Sequence, residues 1–442
     1  MKCSERGPVS GSCSFGRIEA MQLLQGRFQQ QVGVTFLTQV TVLAFSIANS
    51  AIIARWLGPE GKGMLALALM LPGMLGLFLS GGIGVANIYF AGSKCLDVPT
   101  LTANSMAFAV LATVAGIGIV GGLVATGWLE ALVPGVPVWL ILLAMLGFPS
   151  GLLSSYFSTI LQGLQRIVTV NIVNLAQGAL TLALTLLLVI GFQLGLLGAL
   201  LASLGAASIT LAVVGTLLHR EGGVFKPRVN PLVMRSTLSF GLRGHVGNVL
   251  QFFNYRLDMF IVNYFLGPAG VGIYSVSVRL AELLWYLPNA VGFVIFPKAA
   301  ATKPEVMNAF TPRVFRITLG LTALGALGLV LLGQPLIQIV FSSAFIGAYI
   351  PMLVLLPGVV LLGGAKVLTN EIAGRGYPHW NSINAGLALV LTVVLDLVLI
   401  PRYGVLGAAI ASSIAYSAIF FTAIGFYLAV SRRVGEVFAG SR

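Results

Sequence analysis

Long apolar runs recur along the whole chain, and nothing limits its fold more. A helix needs about 20 mostly apolar residues to cross the ~30 Å hydrocarbon core of a bilayer. Twelve such runs can be read. The first six are Val32 to Ala54, Met64 to Ala91, Leu101 to Trp128, Val138 to Leu161, Ile167 to Phe192 and Leu194 to Leu218. The second six are Leu238 to Leu266, Val271 to Phe296, Phe315 to Val340, Tyr349 to Ile372, Trp380 to Ile400 and Val405 to Val430. Lipid offers no hydrogen bonds, so each run must pair its own backbone groups, as a helix does. Only 8% of residues are charged and mean hydropathy is +0.98, whereas a soluble domain carries about 25% charge. The expected class is an all-α integral membrane protein.

The runs fall into two halves that repeat each other. Leu57-Gly58-Pro59-Glu60-Gly61-Lys62-Gly63 recurs as Leu266-Gly267-Pro268-Ala269-Gly270-Val271-Gly272, an offset of 267 − 58 = 209. Gly195-Leu196-Leu197-Gly198-Ala199 recurs as Gly404-Val405-Leu406-Gly407-Ala408, again 404 − 195 = 209, and Arg166 and Arg375 keep that register. Six spans per half predict two repeats in the same orientation, related by an axis along the membrane normal. The expected organisation is a 1–27 cytoplasmic segment, a 28–218 six-helix bundle, a 219–237 cytoplasmic linker, a 238–430 six-helix bundle and a 431–442 cytoplasmic tail.

The formal charge of +13 belongs to loops. Basic residues collect on one side, in the N-terminal segment, in 219–237, around Arg313, Arg316 and Arg375, and in the tail. The other side holds only Arg55, Lys62 and Arg402. The positive-inside rule then puts both termini in the cytoplasm. No basic domain lies outside the spans to bind nucleic acid, so no nucleic-acid partner is expected. Cys3, Cys13 and Cys95 make no CxxC, and His219, His245 and His379 are scattered, so neither a metal site nor a cofactor is expected. No short apolar segment ends in a small-residue cleavage site, so the first apolar stretch should remain as a span.

Trp56, Trp128 and Trp139 fall at predicted outer ends, as an interfacial belt requires. Glycine makes up 54 of the 442 residues, above the usual ~7%. The Gly-x-x-Gly-Ala runs put small residues on one helix face, which favours close helix packing over substrate contact. Pro72, Pro149, Pro288 and Pro357 lie within spans and are candidate kinks, static or hinged.

Charge within the spans is confined to the second half: Arg243, Arg256, Asp258, Arg279, Glu282, Lys366 and Asp396. Unpaired in lipid these would cost roughly 20 kcal/mol even on the lenient insertion scale, so they must pair or face a polar cavity. Arg243, Gly247, Gln251, Asn254 and Asp258 follow steps of four and three. So do Ser275, Arg279, Glu282, Tyr286 and Asn289, and each set makes one stripe. The Gly267-Pro268 turn makes the two stripes antiparallel neighbours, with Asp258 and Arg279 within side-chain reach of each other. One reading is that these charges only brace helices. The other is that surplus arginine binds an anion, since its fork suits phosphate. Trp285 and Tyr286 either stack on sugar faces or, for Trp285, pack on lipid or a neighbouring helix.

The Leu57-Gly58-Pro59-Glu60-Gly61 turn, the Leu161-Gln162-Gly163-Leu164-Gln165-Arg166 helix end, and above all Tyr255-Arg256-Leu257-Asp258 running on to Gly267-Pro268, then Gly272-Ile273-Tyr274-Ser275 and Arg279-Leu280-Ala281-Glu282, carry a resemblance. From about Phe28 to Val430 the chain resembles the O-antigen and exopolysaccharide repeat-unit (Wzx-type) flippases of the multidrug/oligosaccharidyl-lipid/polysaccharide exporter superfamily. The resemblance implies two six-helix bundles around a V-shaped central cavity. It also implies transfer of polyprenyl-diphosphate-linked oligosaccharides from the cytoplasmic to the outer leaflet for cell-surface polysaccharide synthesis. The chain lacks the two further helices usual in the lipid II flippases of this superfamily, and its first span lacks their charge.

Candidate substrate contacts are therefore Arg243, Gln251, Asn254, Arg256, Arg279, Trp285, Tyr286 and Lys366. Candidate ion-coupling acids are Asp258, Glu282 and Asp396. The expected partners are a polyprenyl-diphosphate-linked glycan, membrane lipid and a polysaccharide polymerase, with the chain a monomer in the cell membrane. A multidrug or organic-cation antiporter of the same fold is the alternative, and would favour a cavity dominated by carboxylates. Four basic groups against three acids favour an anion. A membrane glycan polymerase or ligase would need catalytic groups on a large outer loop. The outer loops here are short, so no enzyme is expected.

Overall fold

The computed structural model describes residues 14–223, 230–301, 304–377 and 379–439. Among them the ordered elements are all helical, and ten helices are long and apolar enough to cross a membrane. In chain order these elements begin with α1 (Ser14–Leu79), α2 (Ile83–Gly92), α3 (Val98–Ala125), α4 (Trp128–Leu132), α5 (Val138–Met145) and α6 (Gly147–Gly163). Then come α7 (Ile167–Thr185), a π-helical turn (Leu186–Gly191), α8 (Gly195–Arg220), α9 (Pro231–Glu282) and a 3-10 turn (Leu283–Trp285). The last are α10 (Tyr286–Ala301), α11 (Pro304–Val340), a 3-10 segment (Ser343–Ala348), α12 (Tyr349–Gly374), α13 (His379–Tyr403) and α14 (Val405–Ala439).

The duplicated anchors share one backbone conformation. α1 is interrupted at Gly58 (φ 67°, ψ −175°) and α9 at Gly267 (φ 70°, ψ −176°), a region open essentially to glycine alone. The following prolines cannot donate to the preceding turn. Gly195 and Gly404 likewise have φ of 55° and 58°. Hydrogen bonds from Tyr274 to Asp258 and from Arg256 to Glu282 straddle Gly267, so the two arms of α9 run antiparallel.

Three expected spans are not continuous helices. The run Met64 to Ala91 breaks between Leu79 and Ile83, where Gly81 and Gly82 have positive φ. The run Val138 to Leu161 breaks at Leu146, and Val271 to Phe296 breaks at the 3-10 turn before Tyr286. Pro149 and Pro288 then fall in the first turns of α6 and α10, where a missing N–H costs nothing. Pro357 stays inside α12.

The chain divides into two compact units. The first takes in the chain up to Ile52, with Pro72–Gly121 and Leu142–Arg243. Its core gathers Leu101, Phe157, Ile160, Leu161, Val170, Val173, Val214 and Leu218. Buried Asn87 joins α2 to α3 through Ser105 Oγ (2.9 Å), and a Cβ at Gly198 would stand 2.9 Å from the Leu188 carbonyl oxygen. The small-residue run does serve close approach there.

The second unit takes in Ile53–Leu71, Gly122–Ile141 and the chain from Gly244 onward. Its core includes Ala54, Val276, Leu280, Ile337, Phe341, Phe345 and Met352. Within it the two Leu-Gly-Pro turns touch reciprocally. A Cβ on Gly63 would collide with the Pro268 carbonyl, and one on Gly272 with the Pro59 carbonyl. Arg55 donates to the last carbonyls of α11, Ile339 and Val340 (3.1 Å to the latter). Asn263 Nδ2 donates to Pro134 O (3.0 Å). Trp56, Trp128 and Trp139 are all exposed, as a lipid-facing belt needs.

Candidate functional site

Most intramembrane charge of the second half lies in the second unit, in two adjoining clusters. The first is built on Lys366 of α12. Its Nζ donates to Asn289 Oδ1 of α10 (2.8 Å) and stands 4.4 Å above the Trp285 ring centroid and 5.7 Å from that of Tyr255. Trp285 sits on the 3-10 turn, is buried, and gives its indole N–H to Val359 O of α12 (3.3 Å). Tyr255 (4.9 Å between centroids) and Tyr416 of α14 (5.7 Å, edge-on) complete the aromatic group. Beside it Arg256 makes a two-pronged pair with Glu282, Nη1–Oε1 at 2.9 Å and Nη2–Oε2 at 3.3 Å.

The second cluster surrounds Asp258, which is 1% exposed. Tyr274 donates to Oδ2 at 2.5 Å, Ser412 lies 3.4 Å from the same oxygen, and the Met259 N–H caps Oδ1 at 2.8 Å. On α13, Thr392 donates to Asn254 Oδ1 (3.1 Å). One turn along from Thr392, Asp396 is fully buried and neither carboxylate oxygen has a hydrogen-bond partner. Asp258 and Asp396 are within electrostatic reach of each other. Two buried acids in mutual electrostatic reach, one of them held by the Tyr274 and Ser412 hydroxyls and the other without a hydrogen-bond partner, suit the binding of a proton or a small cation. Among the described residues no group of three or more His, Cys, Asp or Glu is placed to hold a metal ion.

The sequence-expected residues divide accordingly. Lys366, Arg256, Glu282 and Trp285 meet in the first cluster, with Gln251 one helical turn before Tyr255. Asn254 faces α13 rather than open space. Tyr286 is exposed, away from the aromatic group, because the tighter 3-10 turn rotates the residues after it relative to an α-helical stripe. The expected pairing of Asp258 with Arg279 is replaced by Arg256 with Glu282 and by Asp258 with Tyr274. Depth does not decide the exchange, since Arg256 (267 − 256 = 11) and Glu282 (282 − 267 = 15) meet across a larger offset than separates Asp258 from Arg279. Direction does: Tyr274 and Arg279 are five residues apart (279 − 274), about 140° round the helix, so Tyr274 faces Asp258 and Arg279 points elsewhere. Arg279 remains on α9, half-buried and within electrostatic reach of Lys62. The Arg243 side chain lies outside the described residues.

Tyr255, Tyr274, Thr392, Ser412 and Tyr416 belong to the site but were not singled out from sequence, whereas Asn289 stood in the second stripe. Tyr255 and Tyr274 stand inside the motifs that carry the resemblance, and Ser412 in the duplicated small-residue run, so a signal was present. The first repeat keeps none of this charge. Shifted by 209, Arg256, Asp258, Glu282, Trp285, Lys366 and Asp396 fall on Ile47, Asn49, Gly73, Gly76, Phe157 and Leu187.

Residues 52–349 match the profile of a family described as polysaccharide biosynthesis protein. A probable low-salt glycan biosynthesis flippase, Agl15 of Haloferax volcanii, is 24% identical over 200 residues, 41% of this chain and 40% of that protein. The match thus spans well under half of that relative. A putative O-antigen transporter of Shigella flexneri is 25% identical over 389 residues, 84% of this chain and 90% of that one. Among solved structures, the lipid II flippase MurJ in an inward closed conformation superposes with a TM-score of 0.70 at 14% identity, over 92% of this chain and 90% of that one. At that identity the likeness shows the fold.

Proposed function

Since the chain belongs to the polysaccharide biosynthesis protein family, we propose that it is a flippase that carries polyprenyl-diphosphate-linked oligosaccharide from the cytoplasmic to the outer leaflet. The observation that carries this reading is the Lys366 ammonium, held on an aromatic group at the level of the membrane spans. A fixed cation at that depth has no use for an apolar cargo and suits a diphosphate. The names of the Haloferax and Shigella relatives support it.

Ten apolar helices become twelve crossings when Leu37–Leu79 and Val249–Phe296, of 43 and 48 residues, are each counted as two. Each is about twice the length one crossing needs, and each contains its non-helical glycine. Two six-helix repeats with both termini cytoplasmic and a monomer in the cell membrane follow on this reading. A polysaccharide polymerase is the natural consumer of the flipped unit. Coupling to an ion is placed on Asp258 and Asp396. Glu282 is committed to Arg256 and is the weaker candidate.

Partnerless Asp396 also favours a second reading, a cation-coupled exporter of organic cations. Proteoliposomes discriminate the two. The first reading expects a fluorescent polyprenyl-diphosphate-linked glycan to become accessible in the opposite leaflet only when the protein is present. Drug-cation uptake without glycan flipping would overturn it.

A further inference from the structure

We propose that Trp285 is a positioning residue. It fixes the Lys366 ammonium as the anion-binding head of the second unit and does not itself touch the ligand. The inference rests on the proposed flipping of a diphosphate-linked lipid and names which group would meet the diphosphate.

The indole leaves little surface for a sugar. Its N–H is committed to Val359 O, Lys366 covers a face at 4.4 Å, Tyr255 leans against the ring and Tyr416 meets it edge-on. Trp285 is only 6% exposed. The two residues it engages on α12 are seven apart (366 − 359), two turns along one helix face. One rigid ring thus bonds the backbone at one level and seats the side chain two turns on.

Lysine otherwise carries a flexible four-carbon stem whose rotamer freedom is lost on binding. Here the ring and Asn289 hold the ammonium before any ligand arrives, which reduces the ordering cost of capture. An ammonium has three donors. Asn289 accepts one, and the π-face attracts the charge as a whole, so donor capacity remains for an anionic oxygen. Lys366 is only half-buried, so its head is within reach of a ligand although the ring beneath it is not. The first repeat places Gly76 and Phe157 at the equivalent positions, so this device is built once.

The test is a binding cycle on the full chain in nanodiscs, with geranylgeranyl diphosphate as probe and geranylgeraniol as its uncharged control. Wild type should prefer the diphosphate. Lys366→Gln should weaken it about tenfold, or ~1.4 kcal/mol. Trp285→Ala should cause a similar loss, Trp285→Phe a smaller one, and Trp285→Ala with Lys366→Gln no more than Lys366→Gln alone. A merely structural tryptophan would not give that non-additivity. If Trp285→Ala does not fold, Trp285→Phe enters the cycle in its place and must show the same non-additivity. Losses that multiply, or a tryptophan variant that binds like wild type while Lys366→Gln is weakened, overturn the positioning role alone. A wild type indifferent to the diphosphate overturns the proposed function and this inference with it.

Discussion

Replacing Gly63 with alanine should loosen the contact between the two duplicated turns. A Cβ at Gly63 would stand 2.6 Å from the Pro268 carbonyl carbon and 3.0 Å from the Gly272 nitrogen. Carbon atoms settle at about 3.5–4.0 Å, so the turns must part by about 1 Å, and a gap of that size forfeits a quarter to a half of each contact's attraction. Overpacking of this kind costs about 1–3 kcal/mol. The bonds from Arg55 to the end of α11 and from Asn263 to Pro134 tie the same region together and resist the displacement. With an unfolding entropy near 2.1 cal/mol/K per residue over 442 residues, 2 kcal/mol lowers the Tm by about 2 °C. Gly272→Ala, which meets Pro59 reciprocally, should do the same. The double variant should lose less than the sum, because the first methyl has already opened the gap that the second needs. Gly118→Ala is the control: nothing lies within 4 Å of its Cβ, and alanine in a helix interior is neutral or stabilising. The assay is thermal unfolding in nanodiscs followed by tryptophan fluorescence. Wild-type stability in Gly63→Ala, or strictly additive losses in the pair, would refute the reciprocal contact.

Three more perturbations follow from the clusters. Arg256→Gln or Glu282→Gln alone should destabilise by about 2 kcal/mol by stranding a partly buried charge, and the double exchange should recover most of the loss; chemical denaturation of the four proteins measures this. Asp396→Asn should leave folding intact, since no hydrogen bond is lost, but should abolish any dependence of flipping on a proton or sodium gradient, read in proteoliposomes with imposed gradients; retained dependence would remove Asp396 from coupling. Arg375→Ala should cost about 3–5 kcal/mol and lower the yield of folded protein. It leaves Glu371, bonded to Arg375 Nε at 2.6 Å and fully buried, without its counter-charge, and Asn308 without its donor (2.8 Å).

Features with local causes were legible in the residues themselves. Apolar length dictates helices, because a backbone in lipid must satisfy itself within each segment. Leu-Gly-Pro dictates the breaks at Gly58 and Gly267, because only glycine holds that backbone conformation and proline cannot continue the ladder. The confinement of charge to the second repeat could be read directly from residue types. Tertiary structure decided which charges pair. Stripes on one arm do not say which side chains of the facing arm they meet: across the Gly267 turn Asp258 met Tyr274, while Arg279, five residues on, points about 140° away round the helix. The Leu283–Trp285 turn was equally invisible to periodicity. It rotates exposed Tyr286 out of the stripe that residue spacing assigns it with Glu282 and Asn289, while Trp285 is seated under Lys366. The fate of Trp285 rested on Val359 and Lys366, which lie 74 and 81 residues further along the chain (359 − 285 and 366 − 285). Contacts at that separation come from packing, which no local pattern encodes.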